Sequence, residues 1–278
     1  MASDLRKRFE TYLIVNRKAP KTQLAYLSAV SQLANYYNQP PDQLSADQVQ
    51  DYLAYLIAQR KVAWNTCNVT LCALHCFYNK FLNRGQTKLT IPPRLRQRKL
   101  PEILSKAQVL ELIGNAKDLR QRTVLMMTYG SGLRVGEVVR LKPGDIEADR
   151  MLVRVEQAKG RKDRYSLLSK KALESLRIYY KAYGPATYLF VGKDRTAPMP
   201  VATAQKMYNY AKSKAGLNKG KGIHTLRHCF ATHLLMQGVD IQLIKQFLGH
   251  RSIETTLVYL HMVPDRMAKI KSPLDEDE

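Results

Sequence analysis

The chain reads as a mainly α protein of two domains, with one small antiparallel sheet in the second. Three observations predict this. The first 85 residues hold four runs of helical apolar spacing, separated by proline, glycine and capping residues. A stretch rich in proline and cations, 86–100, then interrupts the pattern. Past residue 150 the period shortens to that of strands, and helical spacing returns from Thr203 onward. A length of 278 residues with 45% apolar content suits two ordinary domains with real cores.

The first helix is predicted from Asp4 to about Asn16, with Leu5, Phe9, Tyr12 and Leu13 on one face. Pro20 suits the first turn of a second helix, whose stripe is Leu24, Leu27, Val30, Ala34 and Tyr37 and which Pro40-Pro41 ends. Ser45 and Gln48 form a capping box for a third helix running to about Arg60. A fourth spans roughly Asn65 to Asn83 and stops at Gly85. These make a compact helical domain over residues 1–86. Residues 87–100 contain Pro92-Pro93, Lys88, Arg94, Arg96, Arg98 and Lys99 and no acidic residue. They read as a basic linker, either simply solvated or laid along a phosphate backbone.

The second domain, 101–278, opens with a helix from about Ser105. Thr123–Tyr129 is apolar and reads as buried helix up to Gly130-Ser131-Gly132, and Glu137–Leu141 continues helically to Pro143-Gly144. Met151–Val155 and Arg164–Leu168 flank A-K-G-R-K-D as a β-hairpin, with Thr187–Val191 as a third strand. A later helix starts at about Thr225, and another, Ile241–Leu248, is capped by Asp240 and stopped by Gly249. Tyr259 falls in a further short helix after Ser252. The end, KIKSPLDEDE, is an acidic tail or a segment that docks on a neighbouring basic protomer.

Net charge is +22. Residues 1–100 hold 15 Lys+Arg against 5 Asp+Glu, and the remainder 30 against 18. Both halves therefore call for a polyanion, as a clamp on nucleic acid would. An anionic membrane ranks lower, since no apolar run approaches a span and MASDLRKRFETYL is no secretory signal. Cys67, Cys72, Cys76 and Cys229 suggest no disulfide framework, and a reducing cytoplasm fits them.

Phosphate chemistry needs cations on the non-bridging oxygens, a nucleophile and a proton donor for the leaving oxygen. In GLRVGE, Arg134 follows a flexible turn and Glu137 lies three residues on, so the two share a helix face. They form either an oriented phosphate ligand or a surface ion pair. Arg227 and His224, in HTLRH, sit at a helix start where the unpaired N–H groups favour an anion; a cap and a surface cation is the other reading. Lys159 lies at the hairpin tip with Arg161 and Lys162 as rivals for the same proton-donating role. His250 is a turn residue after Gly249, and Tyr259 is one of sixteen tyrosines. Metal sites are not indicated: there is no HExxH, no paired CxxC and no carboxylate cluster, and His228 and Cys229 read as residues of a packed helix.

Taken together, Arg134 in GLRVGE, Lys159 at a hairpin, His224 and Arg227 in HTLRH, His250 in LGH and Tyr259 after TT resemble the tyrosine recombinase, or phage integrase, family. The likeness is to its compact Xer-like and integron-like members and covers nearly the whole chain. It implies a SAM-like core-binding domain followed by an α+β catalytic domain. It further implies that Tyr259 attacks a DNA phosphate to form a 3′-phosphotyrosine link. Arg134 and Arg227 would bind the non-bridging oxygens, Lys159 would protonate the 5′ oxygen, and His224 would assist proton transfer at the nucleophile. His250 would hydrogen-bond the phosphate and Glu137 support the site. No cofactor is implied, because the covalent link conserves bond energy for rejoining. The partners implied are double-stranded DNA core sites and three further copies in a tetramer, with the C-terminal tail docked on a neighbour. Leu260-His261 departs from the family, where a small polar residue more usually precedes the histidine; a two-domain clamp on the core site, without an arm-binding domain, is expected. The alternatives are a type IB topoisomerase and a DNA-binding protein that kept the scaffold without catalysis.

Overall fold

The computed structural model describes residues 3–85, 88–94, 101–156, 163–192 and 195–262. The chain divides into two compact units, Met1–Gln97 and Arg98–Glu278. Among the described residues no helix is long and apolar enough to cross a membrane.

The first unit is built from α1 (Ser3–Val15), α2 (Pro20–Tyr37), α3 (Ala46–Ala58) and α4 (Trp64–His75). Their ends follow the local chemistry. Pro20 opens α2, Asn38 closes it in the left-handed region at φ 48°, and Ser45 and Gln48 make both bonds of the capping box. Phe9, Leu13, Val30, Leu33, Leu53, Leu74 and Phe77 are buried in one core, where the Phe9 and Phe77 rings meet edge to face. The fourth helix differs from its sequence expectation. It is α-helical only to His75 and continues to Phe81 as a π-helix. Cys76, Phe77 and Tyr78 are consecutive and all buried in this segment. Residues 88–94 run along this unit. Gln50 exchanges two hydrogen bonds with the Thr90 backbone, and the Trp64 indole N–H donates to the Pro92 carbonyl.

The second unit centres on α6 (Leu119–Gly130), preceded by α5 (Lys106–Gly114). Thr123, Val124, Leu125, Met127 and Thr128 are all buried, so α6 shows no single apolar face; other helices surround it. A short α7 (Val135–Val138) leads to the sheet β1 (Ile146–Glu147), β2 (Leu152–Val155) and β3 (Arg164–Leu167). The strands pair antiparallel in that order, with Val155 opposite Arg164 and Ile146 opposite Val153. The third strand is therefore Ile146–Glu147, and not Thr187–Val191 as the apolar run suggested. Leu189 and Phe190 instead plug the core; the Leu189 N–H donates to the Leu141 carbonyl, and the segment forms an isolated bridge between Val191 and Pro198. Helices α8 (Lys170–Tyr183), α9 (Val201–Lys214) and α10 (His224–Met236) pack on α6 directly, and α11 (Ile241–Leu248) and α12 (Glu254–Leu257) follow. Asp240 caps α11, and Gly249 ends it at φ 61°, as the sequence predicts.

Candidate active site

The site lies within the second unit and is organised around Glu137. As the third residue of α7, this carboxylate accepts the Arg134 backbone N–H at 2.7 Å and the Arg134 guanidinium at 2.9 Å. On its other side it takes both terminal nitrogens of Arg164, at 3.0 and 2.7 Å, in the fork-to-fork geometry that suits guanidinium and carboxylate. Arg227 approaches the same carboxylate at 3.7 Å. Burial alone would raise the Glu137 pKa, but Arg164 and then Arg134 outweigh it and hold the group at about 2.

Arg227 emerges from the first turn of α10 and is nearly enclosed. Its two terminal nitrogens donate to the carbonyls of Gly132, at 2.7 Å, and Leu248, at 2.6 Å. The Gly132 turn is specific to glycine: φ is +58°, and an added Cβ would meet the Phe230 ring at 2.3 Å. That turn aims a carbonyl at Arg227 and delivers Arg134 two residues later. Burial and the charge of Arg134 lower the Arg227 pKa to about 9, which leaves it charged at neutral pH. Three guanidiniums thus face one carboxylate, an excess of two positive charges in a sheltered place. Arg134 is the most exposed of the three, with 34% of its side chain accessible.

A cavity of about 390 Å³ is lined by Arg134, His224, Arg227, His228, His250 and Tyr259. A groove of about 600 Å³, lined by the cations Arg134, Arg140, Lys142 and Arg154 and by the carboxylates Glu137, Asp145 and Glu156 that pair with three of them, adjoins it through Arg134 and His224. Tyr259 is only 3% exposed, just past α12 among Phe230, Leu235, Ile244 and Leu248. Its hydroxyl lies 3.0 Å from His228 Nδ1. His250 Nδ1 meets the Thr256 hydroxyl at 2.9 Å, tying the turn after α11 to α12. Burial, with nearby arginines, lowers the pKa of His224 and takes that of His250 down to about 4; burial, with His224 and then Arg227, takes His228 down to about 4. Burial raises the Tyr259 phenol, partly offset by Arg227 and Arg134.

Five residues singled out in the sequence, Arg134, His224, Arg227, His250 and Tyr259, therefore share one cavity, and Glu137 stands behind them. Arg94 is exposed in the first unit, its guanidinium over the Trp64 ring. Lys159, Arg161 and Lys162, like Arg96, Arg98 and Lys99, lie outside the described residues. Two members of the constellation escaped the sequence reading. Arg164 was only a strand end, although alternation places it with Ser166 on the inner face of β3. His228 was only a packing residue, although it follows His224 by one helical turn and so shares its face.

Residues 93–266 match the phage integrase family, and residues 5–88 match the phage integrase N-terminal SAM-like domain. The chain belongs to the phage integrase family. Among its family relatives is the putative integrase/recombinase y4qK of Sinorhizobium fredii, 37% identical over 98% of this chain and 88% of that protein. Tyrosine recombinase XerA of Pyrococcus horikoshii is 33% identical over 92% of the chain and 88% of its own length. A crystal structure of XerA recombinase superimposes with a TM-score of 0.56 at 28% identity, covering 97% of this chain and 100% of that one. The integrase fold is shared more widely: a lambda integrase fragment, a dimer bound to a core site, gives a TM-score of 0.70 at 19% identity over 91% of this chain and 96% of that one.

Proposed function

We propose that this integrase-family protein is a site-specific DNA recombinase that cleaves and rejoins double-stranded DNA through a phosphotyrosine link at Tyr259. The observation that carries the reading is the single cavity where a tyrosine hydroxyl, two arginines and three histidines converge. An attacked phosphodiester gains negative charge on its non-bridging oxygens, and donors fixed in place beforehand stabilise that charge most. Arg134 and Arg227 are such donors, fixed by Glu137 and by two backbone carbonyls. His250 adds a hydrogen bond to the phosphate, its ring turned by Thr256. In the forward step the Tyr259 oxygen bonds to phosphorus and the bond to the 5′ oxygen breaks. Lys159 gives the leaving oxygen its proton, and His224 assists proton transfer at the nucleophile. A 5′ hydroxyl from another strand reverses the step and releases the tyrosine, so no external energy is consumed.

The helical domain 1–86 and the catalytic domain 101–278 both contact the duplex. Arg94, Arg96, Arg98 and Lys99 of the basic linker 87–100 contact its phosphates, as do Arg161 and Lys162. Four copies assemble on two duplexes, the segment after Tyr259 docking on a neighbour; a lambda integrase tetramer on a Holliday junction supplies the structural precedent for the fold. A duplex nicked beside the scissile phosphate tests the chemistry, since loss of the short end traps the covalent protein. Wild type is expected to trap and Tyr259→Phe not to; equal trapping by both refutes the assignment. Exchange of ends between two labelled duplexes separates a recombinase from a topoisomerase that only relaxes DNA.

A further inference from the structure

We infer that His228 receives the proton of Tyr259 as the phenolic oxygen attacks the DNA phosphate, an inference that rests on the recombinase reading above. A general base must lie within about 2.6–3.2 Å of the hydroxyl it serves. His228 Nδ1 lies 3.0 Å from the Tyr259 oxygen. The two rings are tilted by 49° to each other, with 5.8 Å between centroids. His224 and His250 line the same cavity, but neither is hydrogen-bonded to the phenol among the described residues, and His250 spends its Nδ1 on Thr256. The histidine that the family pattern marks is thus one helical turn away from the histidine that meets the nucleophile.

The placement of His228 is fixed by its neighbour in sequence. Arg227 bridges the carbonyls of Gly132 and Leu248, which pins the first turn of α10 against both the turn before α7 and the end of α11. Those links hold the His228 backbone while its ring reaches Tyr259. For the phenol to donate, Nδ1 carries no hydrogen and the ring proton sits on Nε2. Burial, with His224 and Arg227 nearby, keeps the ring neutral and ready to accept. A bound phosphodiester brings negative charge among the arginines and strengthens His228 as an acceptor when DNA is in place. The step balances. The phenolic O–H bond breaks and its proton passes to Nδ1, the oxygen's electron pair forms the bond to phosphorus, and the bond to the 5′ oxygen breaks with that oxygen protonated separately. On rejoining, the imidazolium returns its proton to the departing tyrosine.

The test measures the rate of covalent adduct formation on the nicked duplex with the full chain. His228→Asn keeps an amide near the position of Nδ1 that can hydrogen-bond but cannot take a proton. It is expected to bind DNA as wild type does and to form adduct about 10²- to 10⁴-fold more slowly. Fluorinated tyrosine at position 259 has a more acidic phenol and needs a base less. It is expected to recover about tenfold in the His228→Asn background and to change wild type little. His228→Gln, whose amide reaches toward the Nε2 side instead, serves as a second variant with the same expected loss and recovery. Adduct formation at the wild-type rate in either variant overturns the inference. A slowed variant that the acidic phenol does not help also overturns it, because a packing defect is indifferent to phenol acidity. If wild type itself forms no adduct, the recombinase reading falls and this one with it; a competent wild type beside unaffected variants removes only the role of His228.

Discussion

The two sides of the cavity are built by opposite means. On the arginine side, Glu137, Arg134, Arg164 and Arg227 are each held by several charged or backbone hydrogen bonds. On the tyrosine side, Tyr259 sits in an apolar pocket, and one hydrogen bond to His228 sets its hydroxyl. The contrast suits the proposed roles. Donors for a developing anion work best when they do not rearrange, whereas a nucleophile must approach, bond and leave in every cycle. In the proposed reading the arginine side is a site made before substrate arrives, and the tyrosine side is a poised one.

Substitutions should separate the sides in order of effect. Glu137→Ala leaves three guanidiniums without their shared counter-ion, and loss of one partner from a buried ion cluster costs about 3–5 kcal/mol. Urea denaturation of the variant reads that loss; a change under about 1 kcal/mol would show that water or other groups supply the compensation. Arg134→Ala should leave DNA binding nearly intact while removing about 3 kcal/mol of transition-state stabilisation, read as adduct rate against affinity. Arg227→Ala should lose the same rate and some stability as well, since its side chain also ties Gly132 to Leu248. Equal losses in binding and cleavage for Arg134→Ala would contradict a preformed anion site.

Acid should dismantle the sides at different pH. The folded pKa values of His228 and His250 are pushed down from 6.5 to about 4, so the unfolded chain binds their protons first. Their contribution is complete above pH 6.5 and is lost as pH falls toward 4. Glu137 is depressed from 4.5 to about 2, so its share, about 3 kcal/mol, is lost only as pH falls from about 4.5 toward 2. Unfolding free energy measured across pH 7 to 3 should decline before the carboxylate range is reached, and a flat profile down to pH 4.5 would remove the histidine part. The smallest effect is expected from Thr256→Val, which frees the His250 ring at a cost of about 1 kcal/mol. Its adduct rate should fall further than its stability does.

Elements with local signals were legible in the sequence. Helix α11 carries its own start and stop in Asp240 and Gly249, and α3 carries its capping box. Arg134, Arg227 and Tyr259 were legible as a pattern of order and spacing. What could not be read depends on tertiary context. Leu189 and Phe190 look like strand residues, but they are buried in the core outside the sheet β1-β2-β3. Arg164 and His228 gain their meaning only when β3 meets α7 and when α10 meets the turn after α12. Neither meeting leaves a mark in the spacing of a single segment.

The most direct test of the account is to identify the residue that carries the DNA. The covalent complex trapped on the nicked duplex, digested with protease and nuclease, should yield one nucleotide-modified peptide, with the phosphate on Tyr259 and joined through the 3′ side of the break. Modification at another residue, or a 5′ linkage at Tyr259, would contradict it.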